Sequence, residues 1–254
     1  MKKVSILMTC FNAENFLTQS IKSILKQNFK DYELVIIDDG STDKSRNIIN
    51  RFNNKKIRKF FLKKNIGRTK ALNFGLKKCN AKYIAILDAD DISNPERIKI
   101  QYNYLEENKQ IDLVVTFFKQ KFFNRKIKSI SYNSINNFKK KLCYLNLIAH
   151  SSVMYRKNQI KKLKIYNQKY LYAQDYEMIL KFLKRNKIGI IPKYLTTVNI
   201  YKDNMSNSTK YKKIVIKERI RLLFFSLKNF NFTFFELSYI WLLVFYLVLK
   251  YLLK

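Results

Sequence analysis

The sequence predicts an α/β fold, with a mostly parallel sheet flanked by helices and a helical appendage at the C-terminus. Short apolar runs alternate with longer segments in which apolar residues recur at helical spacing. Several of the short runs end in acidic residues, as expected for buried strands whose carboxyl ends line a ligand crevice. Only 4 glycines and 2 prolines occur in 254 residues, so we expect long elements joined by short loops.

The strands are predicted from runs of β-branched, aromatic and aliphatic residues. They cover residues 4–9, 33–37, 57–62, 82–87, 112–118, 149–156 and 194–201. Helices are predicted between them, and the first is supported by the spacing of Phe16, Leu17, Ile21, Ile24 and Leu25. The other helices cover residues 43–51, 68–78, 94–108 and 137–147, and one more opens at residues 172–177. Residues 119–137 are basic and weakly patterned, and we interpret them as a hairpin or irregular segment.

Residues 82–91 are the stretch around which the chain is organised. Six mostly apolar residues run directly into Asp88, Asp90 and Asp91. Carboxylates this close repel one another, and a divalent cation that bridges them to a phosphorylated ligand would explain why they are gathered. The alternative is an acidic loop that caps the next helix, although Asn94 and Pro95 already supply a helix start.

Two further acidic segments are open to two interpretations. Asp39 lies in residues 38–43, where a strand-end carboxylate can bind a ribose hydroxyl or a base N–H, but the same segment also makes a good turn and helix cap. Asp175 and Glu177 open a helix and can stabilise its N-terminus, or one of them can serve as a general base. His150, the only histidine, begins a strand and is either structural or in contact with ligand.

The composition and the absence of certain motifs argue against several classes of protein. The net charge of +33 predicts attraction to phosphorylated ligands, nucleic acid or anionic lipid, but the lysines are scattered and no nucleic-acid-binding module is visible. The chain has no Gly-x-Gly-x-x-Gly and no Walker loop, which argues against dinucleotide oxidoreductases and P-loop enzymes. Three unpaired cysteines indicate reduced thiols, and the apolar run at residues 4–8 is too short for a signal peptide.

The C-terminal segment predicts two helices, a basic one over residues 210–229 and an apolar one over residues 237–253. The second would be about 25 Å long, which is shorter than the hydrocarbon core of about 30 Å. Its aromatic residues and flanking lysines favour a place at a membrane interface, with packing on the domain or a short span as alternatives. Deleting the residues after Phe230 should then abolish recovery with membranes.

Taken together, these stretches resemble the family 2 glycosyltransferases of the GT-A fold, which has a Rossmann-like sheet. The resemblance covers about residues 1–206, and its strength is the ordered set of motifs rather than any single one. The matching stretches are residues 4–12, 38–43, 65–67, 87–91, 150–156 and 174–176.

The resemblance implies a nucleotide-sugar donor, with UDP-sugars the default, and inversion at the anomeric carbon. It implies that Asp175 is the catalytic base and that Asp90 holds Mn²⁺ or Mg²⁺ on the diphosphate. Asp91, His150 and Gln174 would be acceptor or diphosphate contacts. The residues that would bind the donor are Thr9, Phe11, Glu14, Asp39, Asn65, Gly67, Asp88 and Asp90.

The sequence departs from the family pattern at two positions. Gln174 precedes the base where an acidic residue is frequent, and Leu72 stands where an arginine is frequent, which puts one nucleotide contact in doubt. The Gln-x-x-Arg-Trp segment of polymerising members is absent, which favours a single sugar addition.

The sequence therefore predicts a glycosyltransferase that modifies a glycan or a lipid-linked acceptor in surface polysaccharide or lipooligosaccharide biosynthesis. We expect a domain over residues 1–206, with a nucleotide-sugar half at 1–118 and an acceptor half at 119–206. Residues 207–254 would be the C-terminal helices, in contact with the anionic inner face of the cell membrane, and the enzyme would be cytoplasmic. The alternatives are a nucleotidyltransferase and a non-enzymatic basic membrane-binding module.

Overall fold

A computed structural model describes residues 2–122, 124, 126–131, 135–201 and 211–252 of the chain. The strands within them are β1 (Val4–Cys10), β2 (Tyr32–Asp38), β3 (Ile57–Phe61), β4 (Tyr83–Ile86), β5 (Ile92–Ser93), β6 (Leu113–Phe122), β7 (Ile127–Ile130), β8 (Met154–Arg156) and β9 (Ile188–Ile200). The helices are α1 (Leu17–Leu25), α2 (Ser45–Arg51), α3 (Arg68–Lys78), α4 (Arg97–Glu107), α5 (Ile135–Leu142), α6 (Gln159–Leu163), α7 (Gln174–Lys184), α8 (Lys212–Asn229) and α9 (Phe234–Leu252). A short 3-10 helix covers His150–Ser152.

All of these strands belong to one sheet with the order β3-β2-β1-β4-β8-β6-β9-β5, and β7 pairs with the outer half of β6. Strands β3, β2, β1 and β4 are parallel, as the alternation of strands and helices predicts. Strand β8 runs antiparallel between β4 and β6, which joins the two halves of the chain edge to edge. The predicted α/β class and GT-A sheet are therefore confirmed, with a mixed rather than purely parallel second half.

The two faces of the sheet carry separate hydrophobic clusters because side chains alternate along each strand. Ile6, Met8 and Leu34 point to the face covered by α1 and α4. Leu7 and Val35 point to the opposite face, where α3, α7, α8 and α9 contribute. Strand β2 is buried along its whole length, as expected for a strand that is covered on both faces.

Several predicted boundaries are wrong for identifiable reasons. Strand β9 begins at Ile188, six residues before the predicted start at 194, because its pairing with β6 continues through an irregularity between Ile191 and Tyr194. Pro192 lies in that irregularity, where its missing N–H removes no ladder hydrogen bond. The predicted strand over 149–156 is a strand only at β8, since the 3-10 helix occupies its first half. By contrast, the hairpin interpretation of residues 119–137 is confirmed by the β6–β7 pairing, and residues 123, 125 and 132–134 lie outside the described residues.

The C-terminal helices pack against the rest of the protein through a narrow row of buried residues on each helix. Ile240, Val244 and Leu247 of α9 are buried in the same cluster as Leu222 and Leu223 of α8. Most of the remaining residues of α9 are exposed, and Trp241 and Phe245 are 53% and 63% exposed. By length and composition α9 could also cross a membrane. The cysteines Cys10, Cys79 and Cys143 are free and buried, as their spacing predicted.

Candidate active site

Asp39 lies directly after β2 and is almost fully buried. Its two carboxylate oxygens accept hydrogen bonds from the backbone N–H groups of Ile66, at 2.9 Å, and Gly67, at 3.0 Å. Burial raises the pKa of Asp39, although these two hydrogen bonds partly oppose the rise. The structure therefore brings Asp39 and the Asn65–Gly67 turn together, as their positions at neighbouring strand ends suggested. We call this group the Asp39 pocket.

Gly40 makes this close approach of two loops possible. Its φ is +71°, and a Cβ at this position would lie 2.4 Å from the backbone carbonyl carbon of Lys64. A side chain would therefore be strained by the backbone conformation and would also push the two loops apart. The Asn65 side chain is exposed beside this contact, which leaves it accessible at the rim of the Asp39 pocket.

The loop that follows β1 lies beside Asp39, whose backbone N–H donates a hydrogen bond of 2.8 Å to the carbonyl of Cys10. Thr9 is partly buried at the end of β1, and Phe11 is 45% exposed. The Glu14 carboxylate accepts a hydrogen bond of 2.9 Å from the backbone N–H of Lys44, while Asp43 accepts one from the N–H of Glu14. Glu14 therefore has a clear structural role, since it fixes this loop to the start of α2.

Asp88 follows β4 and has two cationic or polar neighbours. One oxygen accepts a hydrogen bond of 2.7 Å from Nη2 of Arg68, and the other lies 3.3 Å from Nδ1 of His150. Burial alone would raise the pKa of Asp88, but the charge of Arg68 and the contact with His150 outweigh it and lower the pKa well below its usual range. Asp88 is therefore held ionised.

His150 links this carboxylate to Tyr166, in the segment between α6 and α7. Its Nε2 lies 2.8 Å from the hydroxyl of Tyr166, and its Nδ1 lies 3.1 Å from Nη2 of Arg68. Burial would lower the pKa of Arg68, but the negative charges of Asp88, Asp175 and Asp90 raise it further above its already high value. Arg68 is thus the cation that three of the expected site carboxylates share.

Asp90 and Asp91 differ in their surroundings although they are adjacent. Burial and the negative charge of Asp88 raise the pKa of Asp90 to about 6. Asp91 is buried, and its carboxylate accepts hydrogen bonds from the hydroxyl of Ser151 and from the backbone N–H of Asn199. Asp90 therefore remains the partly accessible carboxylate of the pair, whereas Asp91 fixes the loop from within.

A buried arginine supports the same loop from below. Arg97, at the start of α4, donates hydrogen bonds to the backbone carbonyls of Ile86 and Ser151. Burial lowers the pKa of Arg97 to about 9, and the nearby charge of Asp91 partly opposes this. The carboxyl end of β4 is therefore tied to the 3-10 helix that carries His150.

Asp175 lies in the first turn of α7 and is partly buried. One of its oxygens accepts a hydrogen bond of 2.8 Å from the N–H of Tyr176. Gln174 precedes it and is buried, and its Oε1 has no hydrogen-bond partner among the described residues. The negative charge of Asp175 contributes to the raised pKa of Arg68, so the two side chains are within electrostatic range of each other. We call Arg68, Asp88, Asp90, His150 and Asp175 the central cluster.

Within the described residues, no group of three His, Cys, Asp or Glu side chains is arranged to hold a metal ion. A cation here would need most of its ligands from a bound substrate, which is the usual situation for Mg²⁺ at phosphorylated substrates. The surroundings of Asp90 fit such an ion, since a second positive charge would relieve the repulsion from Asp88 that raises its pKa. Asp90 is the residue that would hold such an ion.

Sequence reasoning missed Arg68, Ser151, Tyr166, Arg97 and Asn199. Arg68 directly follows the predicted Asn-x-Gly turn, and that position was the available signal. Leu72, where an arginine is frequent in the family, is buried in the hydrophobic cluster, one turn after Arg68 on the same face of α3. The guanidinium in the crevice is instead that of Arg68, the first residue of α3, one turn before Leu72.

Comparison with known proteins shows the family of the chain. The model of glycosyl transferase family 2 matches residues 5–164. The chain is 32% identical to an uncharacterised glycosyltransferase of Methanocaldococcus jannaschii, over 98% of this chain and 87% of that protein. It is 33% identical to the poly(ribitol-phosphate) β-N-acetylglucosaminyltransferase TarP of Staphylococcus aureus, over 74% of this chain and 59% of TarP.

Solved structures show the same fold. The S. aureus protein TarS in complex with UDP-GlcNAc superposes with a TM-score of 0.71 at 21% identity, over 87% of this chain and 66% of that chain. The mannosyltransferase PcManGT of Pyrobaculum calidifontis, in complex with GDP-Man and Mn²⁺, superposes with a TM-score of 0.69 at 12% identity, over 91% and 66%. The family match spans more than half of the chain and the sheet is that of the GT-A fold, so the protein belongs to glycosyl transferase family 2.

Proposed function

We propose that this glycosyltransferase moves a sugar from a UDP-sugar to a hydroxyl group of a glycan or lipid-linked acceptor, with inversion and with Mn²⁺ or Mg²⁺ bound. The observation that carries the proposal is the central cluster. This cluster contains three carboxylates that interact with the guanidinium of Arg68. Asp88 is held ionised, and the pKa of Asp90 is raised by burial and by the negative charge of Asp88. Asp175 lies at the start of α7.

The Asp39 pocket would bind the nucleoside. Once the Asp39 oxygens are oriented by two backbone N–H groups, their remaining lone pairs can accept hydrogen bonds from a base N–H. Phe11 would lie against the base, with Thr9, Glu14, Asn65 and Gly67 around it. The bound UDP-GlcNAc in TarS and the acetylglucosaminyl specificity in the name of TarP support UDP-GlcNAc as the first donor to test.

Asp88 would contact the ribose and the sugar, and Asp90 would hold the cation on the diphosphate. When bound, the cation would stabilise the negative charge that develops on the leaving diphosphate. Arg68 would add a second positive charge next to the same region, since it already contacts Asp88 at 2.7 Å. His150 and Asp91 would act by holding Asp88 and the 88–91 loop in place.

Asp175 would be the general base. Its carboxylate would take the proton of the acceptor hydroxyl as that oxygen forms a bond to the anomeric carbon. The bond from that carbon to the diphosphate oxygen breaks on the opposite face, so the configuration inverts and UDP leaves. Gln174 would contact the acceptor or the diphosphate through its unpartnered Oε1. Holding both reactants in line supplies much of the remaining rate acceleration.

The C-terminal helices would attach the enzyme to the anionic inner face of the cell membrane. Trp241, Leu242, Phe245 and Tyr246 form a contiguous exposed apolar surface on α9, and the chain carries a net charge of +33. Aromatic residues beside basic ones are typical of helices that lie at a membrane interface. This attachment would suit a lipid-linked acceptor in surface polysaccharide or lipooligosaccharide biosynthesis.

The test is UDP release from a panel of UDP-sugars, with Mn²⁺ or with chelator. We expect slow release from one sugar, with water as the acceptor, that requires metal and is abolished in Asp90→Ala. Asp175→Asn should still bind UDP but should release it at least about 100-fold more slowly, since water must also lose a proton. A nucleotidyltransferase would not need a base at this position, so full activity of Asp175→Asn would favour that alternative.

A further inference from the structure

Glu218 of α8 makes an unusual set of contacts with the segment that leads into α7. It is 2% exposed. Its Oε1 accepts a hydrogen bond of 2.6 Å from the N–H of Leu171, and its Oε2 accepts bonds of 3.0 Å from Tyr172 and 2.9 Å from Ala173. One carboxylate from a distant helix therefore binds three successive backbone N–H groups.

These contacts occur where α7 lacks a cap of its own. Ala173 is the residue at its N-cap position, and it makes no side-chain capping bond. A helix start leaves unsatisfied N–H groups and a partial positive charge, which a Ser, Thr, Asp or Asn at that position would normally satisfy. Glu218 binds the N–H of this N-cap residue and those of the two residues before it, and its negative charge lies next to the positive end of the helix dipole.

The same segment is held on its other side by α3. The backbone carbonyl of Tyr170 accepts a hydrogen bond of 2.8 Å from the Thr69 hydroxyl, and that of Tyr166 accepts one of 2.7 Å from the Asn73 side chain. Thr69 directly follows Arg68 of the central cluster. The segment before α7 is therefore clamped between the helix that carries Arg68 and the helix that carries Glu218.

We propose that Glu218 is a positioning residue for Asp175, and that α8 is thereby a working part of the transferase rather than only a means of attachment. Asp175 lies two residues after Ala173, the last N–H that Glu218 binds. Displacement of this segment would move the carboxylate relative to Asp88 and Arg68 while leaving the Asp39 pocket intact. The proposal rests on the proposed role of Asp175 as the base.

Glu218→Gln tests this with nearly the same side-chain shape. The amide has one acceptor oxygen, and its NH₂ group would face N–H donors, so at least one of the three hydrogen bonds is lost. We expect kcat for UDP release from the active UDP-sugar to fall about 10- to 100-fold, since a displacement of about 1 Å can cost that much. The affinity for UDP should stay within about 2-fold of the wild type, because the nucleoside contacts do not move.

Glu33→Gln is the matched control. Glu33 is also a buried carboxylate that accepts a backbone N–H, that of Asn80 at 3.0 Å, and it pairs with Arg58 away from the central cluster. This variant should lose thermal stability without a selective loss of kcat. Glu218→Asp retains the charge but draws the oxygens back by one methylene, so it should lose less activity than Glu218→Gln.

The outcomes separate this proposal from the assignment of the base. Wild-type kcat in Asp175→Asn would overturn the proposed base. Loss of activity in Asp175→Asn together with wild-type kcat in Glu218→Gln would overturn only the positioning role. If Glu218→Gln does not fold, Glu218→Asp tests the positioning role in its place. Unchanged kcat in that variant would also overturn the proposal.

Discussion

The guanidinium of Arg68 donates a hydrogen bond of 2.7 Å to the carboxylate of Asp88, and this contact joins the first residue of α3 to the end of β4. The side chains are 28% and 21% exposed, so the pair is only partly screened by water. It is the principal reason why the pKa of Asp88 is low despite burial.

Replacing Arg68 should therefore affect both stability and activity. In Arg68→Leu we expect the free energy of unfolding to fall by about 1–3 kcal/mol, since Asp88 keeps its burial and loses its main cation. UDP release should fall at least about 10-fold, because Asp88 is then ionised less readily and is held less firmly. Denaturant unfolding and UDP release measure the two effects. Arg68→Lys, which retains the charge, should be milder, and wild-type activity in Arg68→Leu would contradict the proposed role.

The extent to which Mn²⁺ increases the affinity for UDP should change with pH, because Asp90 titrates. Its pKa is raised from 3.8 to about 6, so protons compete with a cation for this carboxylate at mildly acidic pH. We expect the gain in UDP affinity from Mn²⁺ to increase about 10-fold between pH 5 and pH 7.5, as the ionised fraction rises. Calorimetric titration of UDP with and without Mn²⁺ measures it. Asp90→Asn should remove the dependence, and a gain that is constant with pH would argue against Asp90 as the ligand.

The raised pKa of Asp90 also determines how the stability of the metal-free protein changes with pH. A carboxyl group with a raised pKa binds its proton more tightly in the folded state than in the unfolded state. The contribution of Asp90 therefore makes the metal-free protein less stable as the pH rises from about 4 to about 6, and Asp91, whose pKa is also raised by burial, acts in the same direction. Thermal unfolding in chelator at these pH values, compared with Asp90→Asn, measures the contribution. A wild-type slope no different from that of the variant would contradict it.

Gly40 should be required for nucleotide binding. Gly40→Ala places an L-residue at φ +71° with its Cβ 2.4 Å from the backbone of Lys64. We expect a loss of stability of at least about 1–3 kcal/mol and a loss of UDP affinity of at least about 10-fold as the Asp39 pocket opens. The control is Gly189→Ala, whose Cβ would meet the Tyr104 ring at 2.5 Å. It should lose stability alone, and equal loss of UDP affinity in both variants would count against the pocket.

The exposed face of α9 should bind anionic vesicles. Removing the helix altogether is a poor test, because Ile240, Val244 and Leu247 belong to the core and truncation would expose it. The double variant Trp241→Ser, Phe245→Ser changes exposed residues only. We expect the wild type to float with vesicles rich in phosphatidylglycerol and the variant to float at least about 10-fold less. Ile127→Ser, on the exposed β7 strand, is the control, and equal flotation of all three proteins would exclude α9 as the attachment site.

The sequence predicts those features of the structure that depend on residues close together in the chain. Strands β1, β2 and β4 are short apolar runs ending in polar residues, and pattern alone identifies them. The 3-10 helix at His150 and the irregular pairing around Pro192 depend on neighbouring strands, and the boundaries predicted there are wrong for that reason. The proximity of Asp39 to Gly67 was expected because the carboxyl ends of parallel strands lie at one edge of a sheet.

The contacts that hold the site were not predictable, because they join residues that are distant in sequence. Arg97 and Ser151 look like ordinary surface residues in the sequence, yet both are buried beneath the end of β4. Glu218 lies 47 residues after Leu171, whose N–H it accepts, and nothing in the composition of α8 marks it. Only the fold shows which buried polar groups meet.

The dependence of the 88–91 loop on later parts of the chain sets an order for biosynthesis. The N–H of Asp88 is bound by Ser151, 63 residues later, and the carboxylate of Asp91 is bound by Asn199, 108 residues later. While the ribosome has released only the first parallel strands, the acidic loop has none of these partners. The nascent enzyme should therefore gain its affinity for the donor only after β9 has emerged, in a late step that couples the two halves of the sheet.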